Sequence, residues 1–130
     1  MTQSNFENGF AALTFVLIVA AISLILGFTI SQLSINEIKM ELTRIFSDKA
    51  YYLATLCAED ALMKLKKDIN YTGNEVVVVQ SGECAILPIE GNWTVKTRAD
   101  YQNQIKKIRV IVDKINPEMV IQSWEEVADF

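Results

Sequence analysis

The chain has 130 residues, 51% of them hydrophobic and 22% charged, with a formal net charge of −4 and no histidine. That length holds one domain and excludes a multidomain enzyme or a multi-pass transporter. Without histidine the commonest general base, the usual Ser-His and Cys-His pairs and most catalytic zinc sites are gone, so the expectation is a non-enzyme with no cofactor and no metal. The acidic excess lies wholly in Glu118, Glu125, Glu126 and Asp129, read as a solvated end. No basic stripe is present to track a phosphate backbone, so nucleic acid is not an expected partner.

The apolar residues are unevenly spread. No charge occurs from position 8 to 36, and Phe10–Ile30 holds 17 apolar residues in 21 positions. As a helix this stretch rises roughly 31 Å, which matches a bilayer hydrocarbon core of about 30 Å. A secretory signal peptide has a shorter apolar run, roughly 7–15 residues, behind a basic region. Here no Lys or Arg precedes the run, and the expectation is a single membrane span. Glu7 on one flank and Glu37, Lys39, Glu41 and Arg44 on the other give no clear positive-inside signal. Only the short, simple N-terminus favours the inside.

The junction before the span reads Glu7-Asn8-Gly9-Phe10-Ala11-Ala12-Leu13-Thr14-Phe15-Val16-Leu17. A short polar leader ending in Gly, then Phe, then an unbroken apolar helix, resembles the class III signal of type IV pilins and of the pseudopilins of type II secretion. The resemblance covers the junction and helix closely and the remainder in architecture only. It implies that a prepilin peptidase removes residues 1–9 after Gly9 on the cytoplasmic side and that Phe10 is then N-methylated. It also implies a bacterial inner-membrane protein with its C-terminal domain outside the cytoplasm, or a subunit of an extracellular filament, whose partners are the membrane and other pilin-like subunits.

Two departures from the family pattern matter. The leader lacks the usual basic residue. The fifth residue after the cut is usually Glu, whose carboxylate offsets the charged amine of the first residue inside an apolar core; here it is Thr14, which has no charge to offer. That departure points to a minor or tip-proximal subunit. A reading from another class is a single-pass inner-membrane protein whose extracytoplasmic β domain binds a partner or ligand. Leader cleavage discriminates the two.

Beyond the span, no Pro or Gly interrupts positions 28–72. Ile35, Ile38, Leu42, Ile45, Leu53, Leu56 and Leu65 recur at helical spacing, which predicts an amphipathic helix over 31–69 that packs through these large residues. Phe46, Tyr51 and Tyr52 read as core packing. Asn70–Asn74 breaks the helix, and the period then changes to that of strands over 70–130.

Val76–Val79 reads as a buried strand, Cys84–Leu87 as its return, Trp93–Arg98 as a half-buried strand with Trp93, Val95 and Thr97 inward, and Ile108–Val112 as the strongest strand, with a fifth over Met119–Trp124. The predicted fold class is α+β, a long N-terminal helix packed on one antiparallel meander. Cys57 and Cys84 can form a disulfide, whose loop closure is worth roughly 3.5 kcal/mol, or stay as two buried thiols; the compartment they face decides.

Overall fold

The computed structural model describes the backbone of residues 3–130 and the side chains of residues 8–130, so the first two residues of the expected leader lie outside the described residues. A single helix, α1, runs Gln3–Lys67. It starts earlier than the expected position 10. A lone Gly9 costs only about 1 kcal/mol relative to Ala, too little to stop a helix that continues through Ala11, Ala12 and Leu13. The helix closes with Lys64, Lys66 and Lys67 in its last turn, where cations oppose the negative end of the helix dipole. Asp68 then turns the chain, its carboxylate accepting a hydrogen bond from the Asn70 backbone N–H at 2.9 Å.

Five antiparallel strands follow: β1 (Glu75–Val79), β2 (Gly82–Ile86), β3 (Thr94–Tyr101), β4 (Gln104–Lys114) and β5 (Val120–Val127). They lie in chain order in one sheet, the expected meander. The third strand runs on through Asp100 and Tyr101, beyond the expected end at Arg98. The turn that follows is Gln102-Asn103, both with positive φ (50° and 63°), the signature of a two-residue hairpin whose twist matches its strands. The first hairpin turns at Gln80-Ser81, and Gly82 already pairs with Val79. A side chain at Gly82 would meet the Asp100 carbonyl oxygen at 2.7 Å and Leu53 of the helix at 3.1 Å, so glycine lets β2 approach both.

The chain forms two compact units, Met1–Glu41 and Leu42–Phe130. In the second, one face of the sheet packs on the helix. Cys84 and Ile86 of β2, Val95, Thr97 and Ala99 of β3, and Ile108, Val110 and Val112 of β4 are buried on that face. Register stacks them across the strands, Cys84 opposite Ala99, Ile86 opposite Thr97, Thr97 opposite Ile108 and Val95 opposite Val110. The predicted inward set Val95 and Thr97 is correct, with Trp93 half-buried at its edge. Thr97 is the one buried polar residue among those described, and its hydroxyl donates to the Ala54 carbonyl oxygen at 3.0 Å. That bond ties the middle of the sheet to the helix backbone.

The helix meets the sheet differently from the expectation. Its buried face is Ala50, Ala54, Cys57, Ala58, Ala61, Leu62 and Leu65. Of the large apolar stripe, only Leu65 is buried and Leu53 half-buried; Ile35, Ile38, Leu42, Ile45 and Leu56 are exposed. The spacings are equally helical in both sets, so periodicity alone cannot choose between them. Side-chain size decides: a helix laid close on a β-branched sheet surface leaves room at its line of closest approach only for small residues. Larger residues flank the seam, and Phe46 stacks obliquely on Tyr101 with ring centroids 5.9 Å apart. Tyr51 packs on the core as read from sequence, whereas Tyr52 points outward and is 69% exposed.

The four-valine run is likewise not a buried strand. β1 is the sheet edge, and only Val77 faces the core; Val76 and Val78 are 60% and 78% exposed. A single sheet covered on one face leaves alternate residues of its edge strand in solvent.

Candidate functional site

The apolar stretch of α1 has the unit's chemistry to itself. Asn8–Lys67 contains a window with a mean hydropathy of 2.7, none of it buried, so the helix is long and apolar enough to cross a membrane. This is consistent with single-pass membrane anchoring. Large side chains point outward all round it, including Phe10 (70% exposed), Leu17 and Leu24.

The three hydroxyls within positions 10–30 all bond back into the helix. Thr14 Oγ1 donates to the carbonyl oxygens of Phe10 (3.1 Å) and Ala11 (2.9 Å), Ser23 Oγ to Val19 (2.8 Å) and Thr29 Oγ1 to Leu26 (2.8 Å). In hydrocarbon a polar group must find its partner within the protein, and these do so within their own turn.

The processing residues expected from the junction lie inside this helix. Gly9 and Phe10 are both helical, and a side chain built at Gly9 would touch nothing within 4 Å. Gly27 is equally open. Thr14 lies one turn after Phe10, but its hydroxyl is committed to backbone carbonyls, one of them that of Phe10 itself.

Cys57 and Cys84 are brought together. They are fully buried, with Cα atoms 6.5 Å apart, and the structure joins them as a disulfide. The bond links the alanine seam to β2 at the centre of the packed face.

A second polar group secures the end of the helix to the edge strand. Lys64 Nζ lies 2.7 Å from Asp60 and 2.9 Å from Glu75, and the Tyr71 hydroxyl donates to the same Glu75 carboxylate. The hydrogen bonds to Asp60 and then Glu75 raise Lys64 above the ordinary lysine range. Those from Lys64 and then Tyr71 hold Glu75 below the usual carboxylate range. Burial, followed by the bond to Glu75, pushes the Tyr71 hydroxyl up.

The acidic end is not simply solvated. Glu125 pairs with Arg109, Glu126 with Lys106 at 2.6 Å, and Asp129 with Lys107. Lys107 and then the Phe130 backbone N–H hold the Asp129 carboxyl below its usual value.

Lys106 and Glu126, opposite Ala99 and Ile108, lie on the sheet face toward the helix. The Glu125–Arg109 and Asp129–Lys107 contacts belong to a feature missed in the sequence, on the sheet face turned away from the helix. There Lys96 stands opposite Arg109 and Arg98 opposite Lys107. The alternating charges of β3 and β4 were its only sequence signal. They become a cluster only once the Gln102-Asn103 turn fixes the register.

Among the described residues, no three His, Cys, Asp or Glu side chains converge as a metal site. No family model, no curated protein and no solved structure matches this chain.

Proposed function

We propose that this chain is a structural subunit, minor or tip-proximal, of a type IV pilus or a type II secretion pseudopilus. In this reading the stretch 10–30 serves first as an anchor against lipid and then as a packing surface against neighbouring helices. The observation that carries it is the combination at the start of α1: an apolar wall with none of its most hydrophobic window buried, hydroxyls satisfied within the helix, and a Gly9-Phe10 junction placed directly before it. The Cys57–Cys84 pairing supports a second unit facing an oxidising compartment.

Two details shape the mechanism. Cleavage after Gly9 needs the helix to open locally at that bond, because proteases act on opened backbone. Gly9 is the weakest helix former there and eases that opening. The ammonium freed at Phe10 would meet Thr14 rather than a carboxylate. An uncompensated cation in an apolar core is costly, which favours a position at the end of a filament over its interior.

Mass spectrometry of the chain extracted from membranes of cells with an active prepilin peptidase tests the reading. The expected product starts at N-methylated Phe10; an intact Met1 overturns it.

A further inference from the structure

The outward face of β3 and β4 carries four cations in two directly opposed pairs, Lys96 with Arg109 and Arg98 with Lys107. Like charges directly across a strand pair repel, so this arrangement works against the sheet unless anions cover it. Three of the four are covered from outside the two strands: Glu90 reaches Lys96 at 2.8 Å, Glu125 pairs with Arg109, and Asp129 with Lys107. The Arg98 side chain is exposed and, among the described residues, makes no ion pair or hydrogen bond.

The segment after β5 folds back over the cluster. The Phe130 ring lies under two ammonium groups at once, Lys96 at 5.5 Å and Lys107 at 5.4 Å from its centroid. These lysine side chains are only 16% and 19% exposed, although they stand on the open face of a one-layer sheet. A cavity of about 480 Å³ opens beside Lys107, lined by Arg98 and Lys107 of this face and by Lys106 and Glu126, whose register places them on the other face, among others. The Asp129 carboxylate on the Lys107 ammonium, the Phe130 ring against both ammonium groups, and the Arg98 guanidinium left open beside them together define a recognition pattern.

We infer that the outward face of β3–β4 is a docking surface for a partner segment carrying adjacent carboxylate and aromatic side chains, and that the chain's own Asp129-Phe130 holds the surface in the absence of that partner. Arg98 is the cation left for a second carboxylate of the incoming segment. The surface does not depend on what the apolar stretch of α1 does, so it stands or falls apart from the filament reading.

The test uses the full chain in detergent micelles with Asp129→Ala and Phe130→Ala together, which empties the surface. The probe is the acetylated tetrapeptide Val-Ala-Asp-Phe, followed through the backbone amide shifts of β3 and β4. The peptide is expected to bind the emptied variant roughly tenfold more tightly than it binds the unaltered chain, where the tethered segment competes. Adding Arg98→Ala and Lys107→Ala is expected to weaken that binding about tenfold.

The Phe130→Ala variant alone, which leaves Asp129 in place, is expected to fall between. No binding to a variant whose near-ultraviolet circular dichroism is unchanged overturns the inference. So does equal binding of Val-Ala-Asp-Ala, since general attraction of anions would then explain the contact. Should the double variant lose its fold, the Phe130→Ala variant decides the matter by the same two criteria.

Discussion

The alanine seam gives the sharpest test of how the second unit is held together, because two readings of the same helix predict opposite outcomes. Ala58 is fully buried, between Ala54 and Ala61 and against the inward face of the sheet. Ala58→Leu adds three carbon atoms where nothing is open. Overpacking of this kind costs about 1–3 kcal/mol. Leu56, two positions away, is 55% exposed. Full burial of a leucine is worth about 1.5–3 kcal/mol, and this residue has less than half of that to lose, with no closed cavity left behind, so Leu56→Ala is expected to cost less than about 1 kcal/mol.

For a domain of this size each kcal/mol moves the midpoint by about 4–8 °C, so Ala58→Leu should lower Tm by roughly 10 °C and Leu56→Ala by only a few degrees. Thermal unfolding of the full chain in detergent, followed by the near-ultraviolet circular dichroism of half-buried Trp93 and Trp124, reads the second unit. A larger loss for Leu56→Ala than for Ala58→Leu would refute the seam and restore the large apolar stripe as the packing face.

Three further outcomes are expected. Replacing Cys57 and Cys84 by alanine opens a loop with a sequence separation of 27 and should cost about 3.5 kcal/mol by chain entropy, read as a lowered Tm that reducing agent does not lower further. Glu75 has a folded pKa below its unfolded value, so its contribution is complete above about pH 4.3 and is lost as pH falls through the lower folded value. Glu75→Gln should therefore flatten the acid limb of a Tm-against-pH curve by up to about 1 kcal/mol, a modest figure because the partners are more than a third exposed. Finally, Thr14→Glu places a carboxylate one turn from Phe10 and should raise incorporation into long filaments, counted by immunogold labelling; unchanged incorporation would mean that amine compensation does not set the subunit's position.

Much of the fold was legible because two periods announce it. The apolar run at 10–30, the absence of Pro and Gly over 28–72 and the alternation at Trp93–Arg98 each force one local conformation, and chain-order hairpins leave little choice of topology. Burial was less legible. Val76–Val79 has the composition of a core strand, but burial belongs to its place at the sheet edge, which no local property encodes. The cationic face was hidden for a related reason. Lys96 and Arg109 are 13 positions apart in sequence, and only the two positive-φ residues of the β3–β4 turn set them opposite each other.

The helix resolves two demands with two sizes of residue. Where α1 lies on its own sheet, affinity comes from close approach, so Ala54, Ala58 and Ala61 bring the backbone within reach of Thr97, and a disulfide holds the same seam. Over 10–30 the residues are large and exposed, and the hydroxyls bond back to the helix backbone. A helix meant for a soluble core would reverse that assignment, since large buried residues contribute most per position. Most of the large apolar residues among those described therefore stand exposed rather than in the core, a placement consistent with single-pass membrane anchoring.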